Sequence, residues 1–290
     1  MCRTTLSIAL ACSFIFGLAP EARSNDKLSV FVSIVPQRYF VRQIGKELVD
    51  VHAMVPPGAD PHTYEPKPRQ MVSLAAAKLY FAIGIEFEAA RLKKILSTNP
   101  QIKVVHTDEG IQKISMTEGT HHSGDQHDRS GLDPHIWLSP PLAMMQARTI
   151  LNALQEVDQA NRSKYEANYK AFMAELVDLD ADLKKIFAGR QGLRFMVFHP
   201  SWGYFARSYG LVQVPVEIEG KSPKPAQIME LIEHARENNI KIIFAQPQFS
   251  SKSAELIARE IGGEVALVAV SYTHLRAHET QEVISYAVFC

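Results

Sequence analysis

Cysteine is almost missing from this chain. It has three, Cys2, Cys12 and Cys290, two within the N-terminal 24 residues and one at the last position. Without the N-terminal stretch the body has no disulfide available, so its stability must come from packing. The same scarcity takes thiolates out of any metal site and leaves His, Asp and Glu. Charge of one sign is not in excess either: Lys+Arg and Asp+Glu both number 31. That balance argues against nucleic acid or an anionic membrane as partner. There is no His-Glu-x-x-His helix, a signature of zinc hydrolases, and no internal sequence repeat is evident.

The ends stand apart from the body. Arg3 precedes an apolar run from Thr5 to Leu18, and Ala22-Arg23-Ser24 supplies small residues before Asn25. Residues 1–24 read as a secretory signal peptide, too short an apolar run to span a membrane comfortably. Cys12 is a poor lipoprotein acceptor, because Ala9 matches badly and the apolar run continues past it; this argues against a lipid anchor. At the other end, residues 271–290 break the preceding pattern and read as a non-native tail, like translated adapter sequence. His274 and His278 in it are four apart, a spacing that arises easily by chance.

With 290 residues and 46% apolar content, the body can form one large domain or two of ordinary size. Strands are expected at Lys27 to Ile34, Leu48 to Val55, Leu79 to Ile83 and Ile102 to His106, with helices at Pro36 to Gly45, Pro68 to Ala77 and Glu86 to Leu96. After a helix from Pro140 to about Val157, apolar residues recur at Tyr165, Tyr169, Phe172, Leu176, Leu179, Leu183 and Ile186. Steps of four and three predict one helix of about 28 residues, roughly 40 Å long. Asn161 or Asp158 is its expected cap and Gly189 its end. The alternation then resumes with strands at Arg194 to Phe198, Val212 to Ile218, Lys241 to Ala245 and Val265 to Val270. The expected fold is α/β: two (β/α) lobes with parallel sheets, joined by a single long helix. The lobes are 25–157 and 190–270, and the helix lies within 158–189.

Three histidines share a context of strand end and proline. They are His62 in Asp60-Pro61-His62-Thr63-Tyr64-Glu65-Pro66, His135 in Asp133-Pro134-His135-Ile136-Trp137, and His199 in Phe198-His199-Pro200-Ser201-Trp202. In parallel sheets, ligands bind beyond the carboxyl ends of the strands, and proline stiffens the backbone that carries a ligand. Ordinary Pro-rich turns are the plain alternative; convergence on one zinc ion is the hypothesis taken forward. His52 and His106 read as strand-end residues and His234 as a helix-surface residue. Between the first two sites, residues 117–129 lack apolar periodicity and carry His121, His122, His127, Asp125 and Asp128. This is either a solvated polar loop or an auxiliary zinc-capture loop.

These three stretches, the His-rich loop and the long helix, in this order, resemble the zinc-binding, ZnuA type of periplasmic solute-binding protein. The resemblance runs from about Lys27 to Val270. It implies that the metal sits in the cleft between the lobes, held by His62 and His135 from the first lobe and His199 from the second. It also implies a periplasmic location, zinc as the transported ligand and an ABC transporter permease in the inner membrane as partner. A monomer is expected. Manganese-binding relatives carry a carboxylate at the place of His199, so histidine there favours zinc over manganese. One departure matters. The family's Asp after the last strand is replaced by Ala269-Val270-Ser271-Tyr272, so water or Glu65 is left to complete the shell. Glu217 and Glu219 are expected in an exposed loop facing the permease. Two other readings compete with the non-enzymatic zinc carrier. One is an exported zinc hydrolase with Glu65 as the local base; the other is a metal-binding surface adhesin.

Overall fold

A computed structural model describes residues 27–56, 59, 64–97, 99–116, 131–217, 221–246 and 252–268. Residues 1–24, the His-rich stretch 117–129 with its five candidate residues, His62, Glu219 and the tail 271–290 lie outside the described residues.

The first sheet contains β1 (Leu28–Val32), β2 (Val49–Ala53), β3 (Leu79–Ala82) and β4 (Lys103–His106) in the order β2-β1-β3-β4, all parallel. The helices between its strands are α1 (Val35–Gly45), α2 (Pro68–Ala75) and a last crossover ending in α3 (Lys93–Leu96). Sheet-forming β-branched and aromatic residues fill both faces: Val30, Phe31, Val32, Leu79, Tyr80 and Phe81 are all at most 1% exposed. Such runs belong to a parallel sheet covered on both sides.

Beyond the first sheet come α4 (Pro140–Val157) and α5 (Arg162–Ile186). Six of the seven expected stripe residues of α5 are buried: Tyr165, Tyr169, Phe172, Leu176, Leu179 and Leu183. α5 itself has 25 residues, and the 3-10 turn at residues 159–161 that leads into it completes the expected helical stretch of about 28. Neither expected residue caps it by side chain. Asp158 instead accepts hydrogen bonds from the Tyr165 hydroxyl at 2.7 Å and Asn161 Nδ2 at 2.8 Å, tying the α4–α5 corner together. Gly189, at φ +75°, stands just beyond the end of α5 in a conformation that favours glycine.

The second sheet repeats the topology of the first: β5 (Arg194–Val197), β6 (Val212–Pro215), β7 (Ile242–Ala245) and β8 (Glu264–Leu267) in the order β6-β5-β7-β8, all parallel. Its helices are α6 (Gly203–Tyr209), α7 (Pro225–Glu237) and α8 (Lys252–Ile261). The shared topology has a short trace in the sequence that periodicity overlooked. Pro66-Lys67-Pro68-Arg69-Gln70 opens α2, and Pro223-Lys224-Pro225-Ala226-Gln227 opens α7. In both, the glutamine Oε1 accepts the lysine backbone N–H, at 2.9 Å and 2.8 Å, and proline takes the first helical turn, where its missing N–H costs nothing.

The core is not divided as the sheets are. Met196, Val216, Ile243, Ile257 and Ile261 form a separate cluster with α7 and α8. Trp202, Tyr204, Phe205 and Tyr209, on or beside α6, belong to the same continuous core as the first sheet, α4 and α5. Phe187, just after α5, packs edge-on against Phe205 at 5.8 Å. The Tyr209 hydroxyl donates to Asp180 of α5 at 3.1 Å. The second lobe is therefore joined to the first through α6. Among the described residues, no helix is long and apolar enough to cross a membrane.

Candidate metal centre

The carboxyl ends of β5, β6 and β7 assemble one half of the site. Val197 pairs with Pro215 on one side and Phe244 on the other. Two residues further on, the same parallel register brings His199, Glu217 and Gln246 side by side. The Glu217 N–H donates to Phe198 O at 3.0 Å, and the Phe198 N–H to Phe244 O at 2.7 Å, so the ladder runs right up to the site. His199 Nδ1 meets Glu217 Oε1 at 2.7 Å. Gln246 grips the backbone of His199 in both directions: its Oε1 accepts the His199 N–H at 3.3 Å and its Nε2 donates to His199 O at 3.2 Å. The same amide donates to Ser201 Oγ at 2.9 Å.

The other half is local. Asp133 Oδ1 accepts the His135 backbone N–H at 2.8 Å and lies 2.7 Å from His135 Nδ1. Proline between the two residues holds the backbone in the turn that makes this possible. Asp133 is 1% exposed and Glu217 7%, so both carboxylates are withdrawn from water. The two imidazole rings stand edge to face with centroids 5.3 Å apart, one from each lobe.

A carboxylate can only accept, so in each pair Nδ1 carries the proton, which in a neutral imidazole leaves the lone pair on Nε2. This is the tautomer that binds a metal through Nε2, with the carboxylate orienting the ring and raising its basicity. Two buried negative charges also favour the arrival of a divalent cation.

Sequence reasoning missed both carboxylates. Glu217 is not an exposed surface residue: it is buried beside His199, because the parallel register carries it to the inner edge of the sheet. Nothing in the local sequence betrays this pairing across 18 residues. Asp133 was legible in principle, since Asp-Pro-His puts carboxylate and imidazole two residues apart. Glu65 has an exposed carboxylate, bound to Arg91 at 3.0 Å. The segment after His62 is anchored by Gln70. Its Oε1 accepts the Tyr64 hydroxyl, and its Nε2 donates to Met54 O at 2.7 Å. Among the described residues no group of three or more His, Cys, Asp and Glu could hold a metal; His135 and His199 are brought together, and His62 falls outside that set. His52 lies within β2, His106 ends β4, and His234 is a partly buried residue of α7.

The family described as zinc-uptake complex component A, periplasmic (ZnuA), matches residues 30–287. The high-affinity zinc uptake system protein ZnuA of Bacillus subtilis is 31% identical over 251 residues, 84% of this chain and 78% of its own length. A crystal structure of ZnuA is 42% identical and covers 90% of this chain and 97% of its own, with a TM-score of 0.79. A zinc-bound ZnuA lacking its residues 138–173 is 41% identical, covers 91% and 97%, and has a TM-score of 0.80.

Proposed function

The chain belongs to the periplasmic zinc-uptake component A family, and from that premise we propose that His62, His135 and His199 hold the zinc ion it carries. The protein is an extracytoplasmic solute-binding protein that captures zinc for uptake by an ABC transporter. The observation that carries the site is the pair of facing imidazoles, each with Nδ1 held by a buried carboxylate. Zinc accepts imidazole nitrogen in tetrahedral sites, and a water molecule is the simplest fourth ligand, since Glu65 is engaged by Arg91. The same pairing weakens the hydrolase reading, which relied on Glu65 as its base.

Replacing His199 with Ala removes the second lobe's ligand. Competition titration should find zinc affinity lowered by more than the ten- to hundredfold typical of losing an orienting partner. Wild-type affinity in that variant means the ion is bound elsewhere.

The permease partner is supported by the symmetry of the fold. Val72 and Met229 are the two most exposed large apolar side chains among the described residues, at 75% and 70%. They occupy the same position relative to the repeated Pro-Lys-Pro-x-Gln motif, two residues after each glutamine. An isolated exposed apolar side chain needs no explanation, but two at equivalent sites of the two lobes offer a paired contact to a partner that spans both.

A further inference from the structure

The His-rich stretch 117–129 leaves and rejoins the fold through a short antiparallel neck, marked by the bridge between Ser115 and Leu132. Met116 N–H donates to Gly131 O at 2.9 Å and Asp133 N–H to Ile114 O at 2.8 Å. In a regular ladder Ile114 and Asp133 would exchange a second bond, from Ile114 N–H to Asp133 O. That bond is interrupted. The Tyr204 hydroxyl, from α6 of the second lobe, accepts the Ile114 N–H at 3.1 Å and donates to Asp133 O at 2.8 Å. Tyr204 is 3% exposed. Burial and, less strongly, the charge of Asp133 outweigh the donation from Ile114 and push its hydroxyl up to about 12, so it remains a donor at any working pH.

The neighbouring residue tightens the same contact. A side chain at Gly203 would bring its Cβ within 2.9 Å of Asp133 Oδ2 and 3.1 Å of Ile114 Cδ1. Asp133 is thus gripped at its carbonyl and flanked at its carboxylate by residues that follow His199 by four and five positions. One short segment, 199–204, supplies a second-lobe ligand and holds the residue that orients the first-lobe ligand.

We propose that Tyr204 is a positioning residue for the metal: its hydroxyl, wedged into the neck, sets Asp133 and hence His135 against His199. This rests on reading His135 and His199 as ligands. The geometry of the pair then depends on this wedge, and the neck of the His-rich stretch is tied to the backbone of the same aspartate.

The test compares full-length Tyr204→Phe, Ser208→Ala and His199→Ala by zinc competition titration, by the visible spectrum of the cobalt(II)-loaded protein and by thermal unfolding without metal. Ser208→Ala removes a different side-chain hydrogen bond from α6 to the first lobe, between Ser139 Oγ and Ser208 Oγ at 2.9 Å, together with the bond inside α6 from Ser208 Oγ to Tyr204 O at 2.8 Å, and leaves the Tyr204 hydroxyl and Asp133 in place. For Tyr204→Phe the expected result is a tenfold to hundredfold loss of zinc affinity with a shifted cobalt spectrum, while Ser208→Ala keeps both as in wild type. Should Tyr204→Phe unfold too readily to be loaded, Gly203→Ala, which crowds Asp133 Oδ2 directly, carries the same expectation. Unchanged affinity and spectrum in Tyr204→Phe, with His199→Ala still impaired, overturn the proposal while sparing the site. An equal loss in Ser208→Ala also overturns it, since general adhesion of the lobes would then be the cause. Unchanged affinity in His199→Ala overturns both.

Discussion

At the scale of single residues, the distinctive unit is the histidine with its carboxylate. Glu217 accepts from the His199 ring at 2.7 Å and is almost fully buried. Replacing Glu217 with Gln keeps an acceptor oxygen but removes the charge that offsets the incoming cation. Zinc affinity should fall about ten- to hundredfold, the usual effect of losing such an orienting partner. Isothermal titration of the purified variant measures it, and a circular dichroism spectrum matching wild type separates the loss from misfolding. Gln246 is the complementary case. Among the described residues its hydrogen bonds go to the backbone of His199 and the Ser201 hydroxyl, so it steadies the proposed ligand without adding charge. Which carboxylate serves which histidine was only half visible in sequence. Asp133 and His135 are near neighbours in the chain, whereas Glu217 and His199 meet only because β5 and β6 lie side by side in register.

At the scale of elements, two segments make separable contributions. The buried stripe of α5 faces α1 and α4, and Phe172 is 2% exposed between Tyr39 and Phe40. Truncating Phe172 to Ala removes a whole ring from a close-packed site, and such changes cost about 3–5 kcal/mol. Urea unfolding should record this as a lowered midpoint with the slope unchanged. The stripe was plain in the sequence because a 3.6-residue period needs no tertiary information. The start of the helix was not, because Asp158 spends its carboxylate on Tyr165 and Asn161 rather than on backbone donors. The His-rich stretch is the other segment. The neck that carries it is closed at Ile114, Met116, Gly131 and Asp133, so excising 117–129 should leave the cleft site intact. The expected outcome is unchanged affinity at the cleft, fewer zinc ions bound at saturation and slower uptake when zinc is limiting. Wild-type uptake under limitation would mark 117–129 as a plain solvated loop.

At the scale of the whole molecule, two lobes of equal topology are joined through α6 and the end of α5. With His135 and His199 as the proposed ligands, one from each lobe, the ion would bridge the two. The repeated helix openings place Lys67 and Lys224, and Val72 and Met229, at equivalent positions. Replacing Val72 and Met229 together with Glu should abolish zinc uptake in a strain dependent on this protein, while titration finds zinc affinity unchanged. Normal uptake by the double variant would exclude these helices from the permease contact.

The sequence by itself determined the α/β class, the long helix and the three proline-flanked histidines, because periodicity and backbone-stiffening residues act locally. It also carried the Pro-Lys-Pro-x-Gln repeat, a signal too short to notice before two identical caps stood in two identical sheets. Only the tertiary structure decided that Glu217 belongs to His199, that Glu65 belongs to Arg91 and that Tyr204 lies within the neck beside Asp133. Each of these joins residues whose nearness comes from strand order and lobe packing. No local pattern in the chain encodes that distance.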